Sequence, residues 1–136
     1  MKAKVVVAGE AQGELLVSRQ AISFWGGLRA QTGELIDRRH DRCGENIAGK
    51  VFAFPYEKGS STGSAILLES VRVGKAPAAL ILTKTPPVLA LGSIIARELY
   101  GHAVPILVVS EEEFAKLEDG AVATAAKDGG LEFRQT

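Results

Sequence analysis

The chain has 136 residues and a mass of 14.4 kDa, a length that predicts a single domain over residues 1–136 with one substantial core. Apolar residues make up 46%, charged residues 24%, and sixteen Lys plus Arg balance sixteen Asp plus Glu, which excludes disordered, collagen-like and coiled-coil chains. With no net charge there is no global field to hold a polyphosphate backbone, so nucleic acid is not an expected partner. No stretch approaches the roughly 20 apolar residues of a membrane helix; no membrane contact is expected and the expected compartment is the cytoplasm. The one cysteine, Cys43, cannot form an internal disulfide or by itself hold zinc or an iron–sulfur cluster, and any such metal has to come with a partner.

Val5-Val6-Val7 and Leu15-Leu16-Val17 are short β-rich runs separated by Gly9 and Gly13, which predicts a hairpin or two adjacent strands. From Ser18 to Asn46 the chain is rich in glycine and charge, with Ile22, Phe24, Trp25, Leu35 and Ile36 as isolated apolar points. It reads as a long ordered loop, a kind that is commonly functional. Val51–Phe54 is a short strand ending at Pro55, and after a glycine-serine turn Ala65, Leu68 and Val71, with Ile66 and Leu67 beside them, follow helical spacing. Gly74 suits the position just past that helix. Residues 79–82 are nearly all apolar, as a strand buried on both faces should be. A second helix is expected from Pro87 to Tyr100, with Leu91, Ile94, Ile95 and Leu99 inward and Gly101 as its stop.

Pro105–Val109 completes the strand set, Ser110 and Glu113 have capping-box spacing before a short helix with Phe114 and Leu117 inward, and Asp128-Gly129 marks a final hairpin turn between Val122 and Leu131-Glu132-Phe133. The order of elements predicts an α/β fold with a parallel βαβαβ core and an additional small β layer from the flanking strands. Ligands in such open sheets bind beyond the carboxyl ends of the strands. That edge should carry residues 59–63, Thr83-Lys84-Thr85 and Ser110.

Lys58-Gly59-Ser60-Ser61-Thr62-Gly63-Ser64 lies between a strand and a helix start, where free backbone N–H groups and the helix dipole favour an anion. One reading is that the hydroxyls merely cap the helix. A Walker phosphate loop is excluded by the spacing of Gly59 and Gly63 and by the lack of Gly-Lys-Ser/Thr. Gly59-Ser60-Ser61-Thr62-Gly63 also fits the G-x-S-x-G nucleophile elbow, with Ser61 as nucleophile, but the only downstream histidine is His102, directly after a helix stop.

A more specific signal is an ordered series: residues 22–27 (Ile-Ser-Phe-Trp-Gly-Gly), Thr32-Gly33, Ile36-Asp37-Arg38-Arg39-His40, Ala48-Gly49-Lys50, Gly59-Ser60-Ser61-Thr62-Gly63-Ser64, Ala76-Pro77-Ala78-Ala79 and Leu89-Ala90-Leu91-Gly92. Over roughly residues 8 to 110 this resembles the small subunit of aconitase X. The resemblance implies a swivelling β/β/α domain that forms a heterodimer or higher complex with a large subunit, whose own cysteines hold an iron or iron–sulfur centre. It implies dehydration of a small hydroxy acid: cis-3-hydroxy-L-proline in bacterial members, which Phe24-Trp25 and residues 96–101 look more like, or mevalonate 5-phosphate in archaeal ones.

By motif position the resemblance makes Ser60 the catalytic base, with Ser61, Thr62 and Gly63 orienting it or contacting the substrate carboxylate, while a Lewis-acid iron draws off the hydroxyl. Other aconitases place an arginine for that carboxylate where this chain has Thr62, so another cation has to serve. Arg38 and Arg39, with Arg42 and Lys58, are the candidates; the alternative for the arginines is a solvated surface run. His40 is a candidate proton relay and Trp25 a candidate pocket wall, against a surface histidine and a core tryptophan. Three functional classes remain open at this point: a subunit of a heteromeric hydro-lyase, a stand-alone serine hydrolase using Ser61, and a non-catalytic domain that holds a small anion.

Overall fold

A computed structural model describes residues 1–135. Its elements, in chain order, are β1 (Lys4–Val7), β2 (Ala11–Val17), α1 (Phe24–Gly27), β3 (Leu28–Arg29), β4 (Glu34–Leu35), β5 (Val51–Ala53), α2 (Gly63–Arg72), β6 (Ala79–Leu82), α3 (Pro87–Tyr100), β7 (Ile106–Val108), α4 (Glu111–Ala115), β8 (Val122–Ala125) and β9 (Leu131–Arg134). The expected βαβαβ unit is present: β5 pairs parallel with β6, and β6 with β7. Near-continuous apolar runs make these strands, because both of their faces are covered. Phe52, Phe54, Leu80, Leu82 and Ile106 meet Leu67 of α2 and Leu89 of α3 on one side. Val51, Ala53, Ala79, Ile81 and Leu107 meet Phe114, Leu117, Ala123, Ala125 and Leu131 on the other.

The flanking strands supply that second β layer by continuing the same sheet, in the order β1-β7-β6-β5-β2-β8-β9, while β3 and β4 form a separate two-stranded sheet. The larger sheet curls until its far hairpin returns to the N-terminal segment, where Ala3 N–H donates to Gly129 O at 2.8 Å and Leu131 N–H to Met1 O at 2.8 Å. This overturns the expected hairpin or adjacency of the first two strands. β1 lies antiparallel to β7, whereas β2 pairs with β5 and β8. In a curled sheet the short connection through Gly9 can join strands that are not neighbours.

The helix ends fall where the glycines are: Gly74 and Gly101 adopt φ of 75° and 69°, the left-handed conformation that stops a helix. The inward face of α3 differs from the expected one. Leu89, Ala90, Gly92, Ser93 and Ala96 are buried, while Leu91, Ile94 and Leu99 are 53%, 48% and 61% exposed and Ile95 is half-buried. The cause is close packing against α2: a Cβ on Gly92 would lie 2.6 Å from Ser64 O and 3.0 Å from Ser64 Cα. Only small residues fit at that crossing, so the larger apolar side chains turn outward. On α2, Leu67 is buried and Ile66 and Val71 pack against the same core, whereas Ala65 faces out.

The region from Ser18 to Asn46 is more ordered than a loop. Ile22, Phe24, Leu28, Leu35 and Ile47 anchor it in the helix-side core. Downstream, the capping box forms as expected, Ser110 Oγ accepting from Glu113 N–H and Glu113 Oε1 from Ser110 N–H, each at 3.0 Å. That backbone donor holds the Glu113 carboxyl below its ordinary range, so the contribution is present at neutral pH and is lost as pH falls through the acid range. Ser110→Ala should lower stability by about 1 kcal/mol in chemical denaturation.

Candidate functional site at the carboxyl edge of the sheet

The turn after β5 carries Gly59 to Thr62 to the carboxyl edge of the sheet and into α2. Gly63, Ser64 and Ala65 N–H groups donate to Ser60, Ser61 and Thr62 carbonyls at 3.0, 3.4 and 3.0 Å. The amides of Ser60, Ser61 and Thr62 therefore remain as the donors at the helix start, and they have no acceptor among the described residues. Thr62 occupies the N-cap position without a side-chain cap bond. Among the described residues the Ser60, Ser61 and Thr62 hydroxyls make no hydrogen bond, and Ser64 Oγ donates back to Ser61 O at 2.9 Å. The simple capping role is thus not what these hydroxyls perform. Ser60 is half-buried and Ser61 and Thr62 exposed, whereas the hydroxyls of Thr83 and Ser110 on the same edge are used internally, Thr83 Oγ1 donating to Pro55 O at 2.8 Å and Ser110 in its cap.

Gly63 is buried beside the Phe24-Trp25 segment: a Cβ there would lie 3.8 Å from Phe24 Cβ and 4.0 Å from Trp25 N. Trp25 itself is 58% exposed, so it is not core packing, and its backbone beside the serine loop leaves helical geometry at ψ 114°. On the same edge, a cleft of about 580 Å³ is lined by Arg19, Asp37, Arg39, His40, Tyr56 and Lys58, among others. Arg39 and Lys58 are exposed, and among the described residues their side-chain cations have no carboxylate partner. Arg38 is exposed but does not line the cleft, and neither do Trp25, Ser60, Ser61, Thr62 or Gly63. Arg42 is committed elsewhere, donating to Asp119 Oδ2 at 2.9 Å.

His40 is not a surface histidine. Its side chain is 1% exposed, Nδ1 accepts from Arg42 N–H at 3.2 Å and Nε2 lies 2.9 Å from Ser18 Oγ. The Nδ1 acceptor assigns the proton to Nε2, which donates to Ser18, and Ser18 Oγ in turn donates to Asp41 Oδ1 at 2.7 Å. The network fastens the Arg38-Arg39 loop to the end of β2. His102 is on the opposite edge: α3 begins at the carboxyl edge and its 14 residues run about 21 Å away from it. No Ser61–His102 dyad can form.

Residues 1–133 match the family described as the aconitase X swivel domain. The chain belongs to that family. The swivel domain is 42% identical over 124 residues to the cis-3-hydroxy-L-proline dehydratase of Pseudomonas aeruginosa, covering 86% of this chain and 21% of that protein. It is 38% identical over 131 residues to the phosphomevalonate dehydratase small subunit of Thermococcus onnurineus, covering 96% and 95% of the two chains. It therefore spans about a fifth of the first relative and nearly all of the second. The crystal structure of Thermococcus kodakaraensis aconitase X in its holo-form superposes with a TM-score of 0.87 at 33% identity, over 98% of this chain and 97% of that one.

Three features of the swivel-domain site were not evident from sequence. Arg19 lines the cleft while its guanidinium donates to Phe114 O and Leu117 O at 3.0 and 2.8 Å. Tyr56 forms a wall under the Lys84 ammonium, 5.1 Å from its ring centroid. Glu57 accepts from Val88 N–H and Leu89 N–H at 3.0 and 3.1 Å. Only the last left a trace, since a helix starting Pro86-Pro87 without a hydroxyl or carboxylate N-cap has to find its acceptor elsewhere. No helix among the described residues is long and apolar enough to cross a membrane.

Proposed function

We propose that this swivel domain is the base-bearing part of a dehydratase for a small hydroxy acid, with Ser60 removing the proton next to the substrate carboxylate. The observation that carries this reading is a half-buried serine with a hydroxyl free of intrachain bonds, in the turn just before α2, where the amides of Ser60, Ser61 and Thr62 have no acceptor among the described residues either. A serine near its ordinary acidity is too weakly ionised to act as a base; oriented N–H donors and nearby cations lower the cost of its alkoxide. The amides of Ser60, Ser61 and Thr62 with the α2 dipole are the proposed donors, and Lys58 and Arg39, which line a cleft that Ser60 itself does not line, are the proposed cations. Ser61, Thr62 and Gly63 orient the base or contact the substrate, Trp25 walls the pocket, and the Ser18–His40–Asp41 bonds hold the loop of Arg38 and Arg39 in place.

Among the described residues no three His, Cys, Asp or Glu side chains form a metal-binding group, and Cys43 is exposed. These residues do not fit an iron centre, and in this reading a large subunit brings it. The part of the reaction assigned to this chain is proton removal and charge stabilisation. cis-3-Hydroxy-L-proline is the substrate we favour, on the resemblance of Phe24-Trp25 and residues 96–101 to bacterial members; the identities of 42% and 38% to the two kinds of relative do not separate it from mevalonate 5-phosphate. Mevalonate 5-phosphate is the second reading, favoured by the unpartnered cations of the cleft, which suit a phosphate.

Assay of the chain assembled with an aconitase X large subunit against both substrates tests the choice, turnover of neither contradicting the dehydratase reading. In the same assay Arg39→Ala and Lys58→Ala should each lower kcat/KM about tenfold, the effect of one lost charge-assisted contact, a fall in kcat reporting support of the base and a rise in KM contact with the substrate. An unchanged KM in the double variant would show that these cations do not hold the substrate.

A further inference from the structure

Pro55, Tyr56 and Glu57, on the way from β5 to the serine loop, each have a partner between the end of β6 and the first turn of α3. Pro55 O accepts from Thr83 N–H at 2.9 Å and from its hydroxyl at 2.8 Å. The Tyr56 ring carries the Lys84 ammonium. Glu57 reaches furthest, its two carboxylate oxygens accepting from Val88 and Leu89 N–H at 3.0 and 3.1 Å. Lys58 N–H then donates to Ile22 O at 3.0 Å, and the Ser60–Thr62 hydroxyls and amides beyond it are unbonded among the described residues. The turn is a laced stalk with a free tip.

The Glu57 contact is the strongest lace. An ionised acceptor takes two orphan donors at the positive end of a 14-residue helix whose own N-cap, Pro86, makes no side-chain cap bond. We infer that Glu57 is a positioning residue, which ties the serine loop to α3 and so fixes where Ser60 stands; the inference rests on the reading of Ser60 as the base. Glu57 touches neither the substrate nor the reacting atoms in this account. Its partners are two backbone amides, and its influence passes through Lys58 to the loop.

Amide hydrogen exchange on the full chain, with kinetics of the assembled enzyme, tests this in Glu57→Ala and in Glu57→Gln, which retains one acceptor oxygen at the same reach. In Glu57→Ala the amides of Val88 and Leu89, and with them those of Lys58 and Gly63, should exchange about tenfold faster or more, while those of β5 and β6 keep their protection. The kcat should fall about tenfold with KM nearly unchanged, and Glu57→Gln should recover part of both effects. Unchanged exchange at Lys58 and Gly63 would overturn the inference, and so would full turnover with a loosened loop. Ser60→Ala measured alongside separates the two ideas. If it is inactive while Glu57→Ala is fully active, only the positioning role falls; if it is fully active, the base assignment falls and the role of Glu57 with it.

Discussion

Ser60→Ala should lower turnover by the chain assembled with a large subunit by about 10²–10⁴-fold, the contribution of a general base, if Ser60 is the base as proposed, while leaving the fold and subunit association intact. The prediction is sharp because the Ser60 hydroxyl is bonded to nothing in the described chain, so its removal breaks no internal contact. The carbonyl that receives Gly63 N–H at 3.0 Å belongs to the backbone and is unaffected by the substitution. Ser61→Ala is the control: its hydroxyl is exposed and equally unbonded, and the account gives it an orienting role, so its loss should be smaller and should appear partly in KM. Near-normal turnover in Ser60→Ala with loss in Ser61→Ala would transfer the base to Ser61.

Gly92→Ala should destabilise the protein by about 1–3 kcal/mol, the usual effect of overpacking, and should also reduce turnover. The added Cβ would meet Ser64 O at 2.6 Å and Ser64 Cα at 3.0 Å. Both are backbone atoms, so no side chain can swing aside and one helix has to move from the other. Ser64 is the second residue of α2, directly after the serine loop, and a shift there displaces Ser60. Misplacement of a reacting group by about 1 Å can lower a rate by about 10²-fold. Chemical denaturation and steady-state kinetics check the two parts separately, and a variant with native stability and turnover would contradict this view of the helix crossing.

The same crossing explains what was and was not legible in the sequence. The parallel core could be read because strands covered on both faces need uninterrupted apolar runs, and Val51–Phe54 and Ala79–Leu82 have them. The glycine stops at Gly74 and Gly101 and the Ser110–Glu113 box were legible because caps are local chemistry. The inward face of α3 was not. A stripe chosen for large apolar residues selects Leu91, Ile94 and Leu99, whereas the buried face is set by the close approach of Gly92 to Ser64 and by the bonds of the Ser93 hydroxyl to the Val104 backbone. The partners of β1 and β2 were hidden for another reason: they lie far along the chain, and a curled sheet lets neighbours in sequence diverge in space.

At the site, the serine loop and the cations of the Arg38-Arg39 segment stood out as residue types in a suggestive order. Their placement depends on contacts that no local pattern encodes. Ser18, His40 and Asp41 bond across more than twenty residues of chain, and Glu57 caps a helix that begins thirty residues later. A buried histidine in a charged segment resembles a surface histidine until its partner, Ser18, is located.

The proposed role of Ser60 is read most directly by following the proton itself. The chain assembled with a large subunit is given the proposed substrate, cis-3-hydroxy-L-proline, carrying deuterium next to the carboxylate, and loss of the label to water is compared between the unaltered chain and Ser60→Ala. The label should be lost rapidly with the unaltered chain and retained with Ser60→Ala, although the variant complex still binds the substrate. Label loss at the unaltered rate from the Ser60→Ala complex would contradict that role.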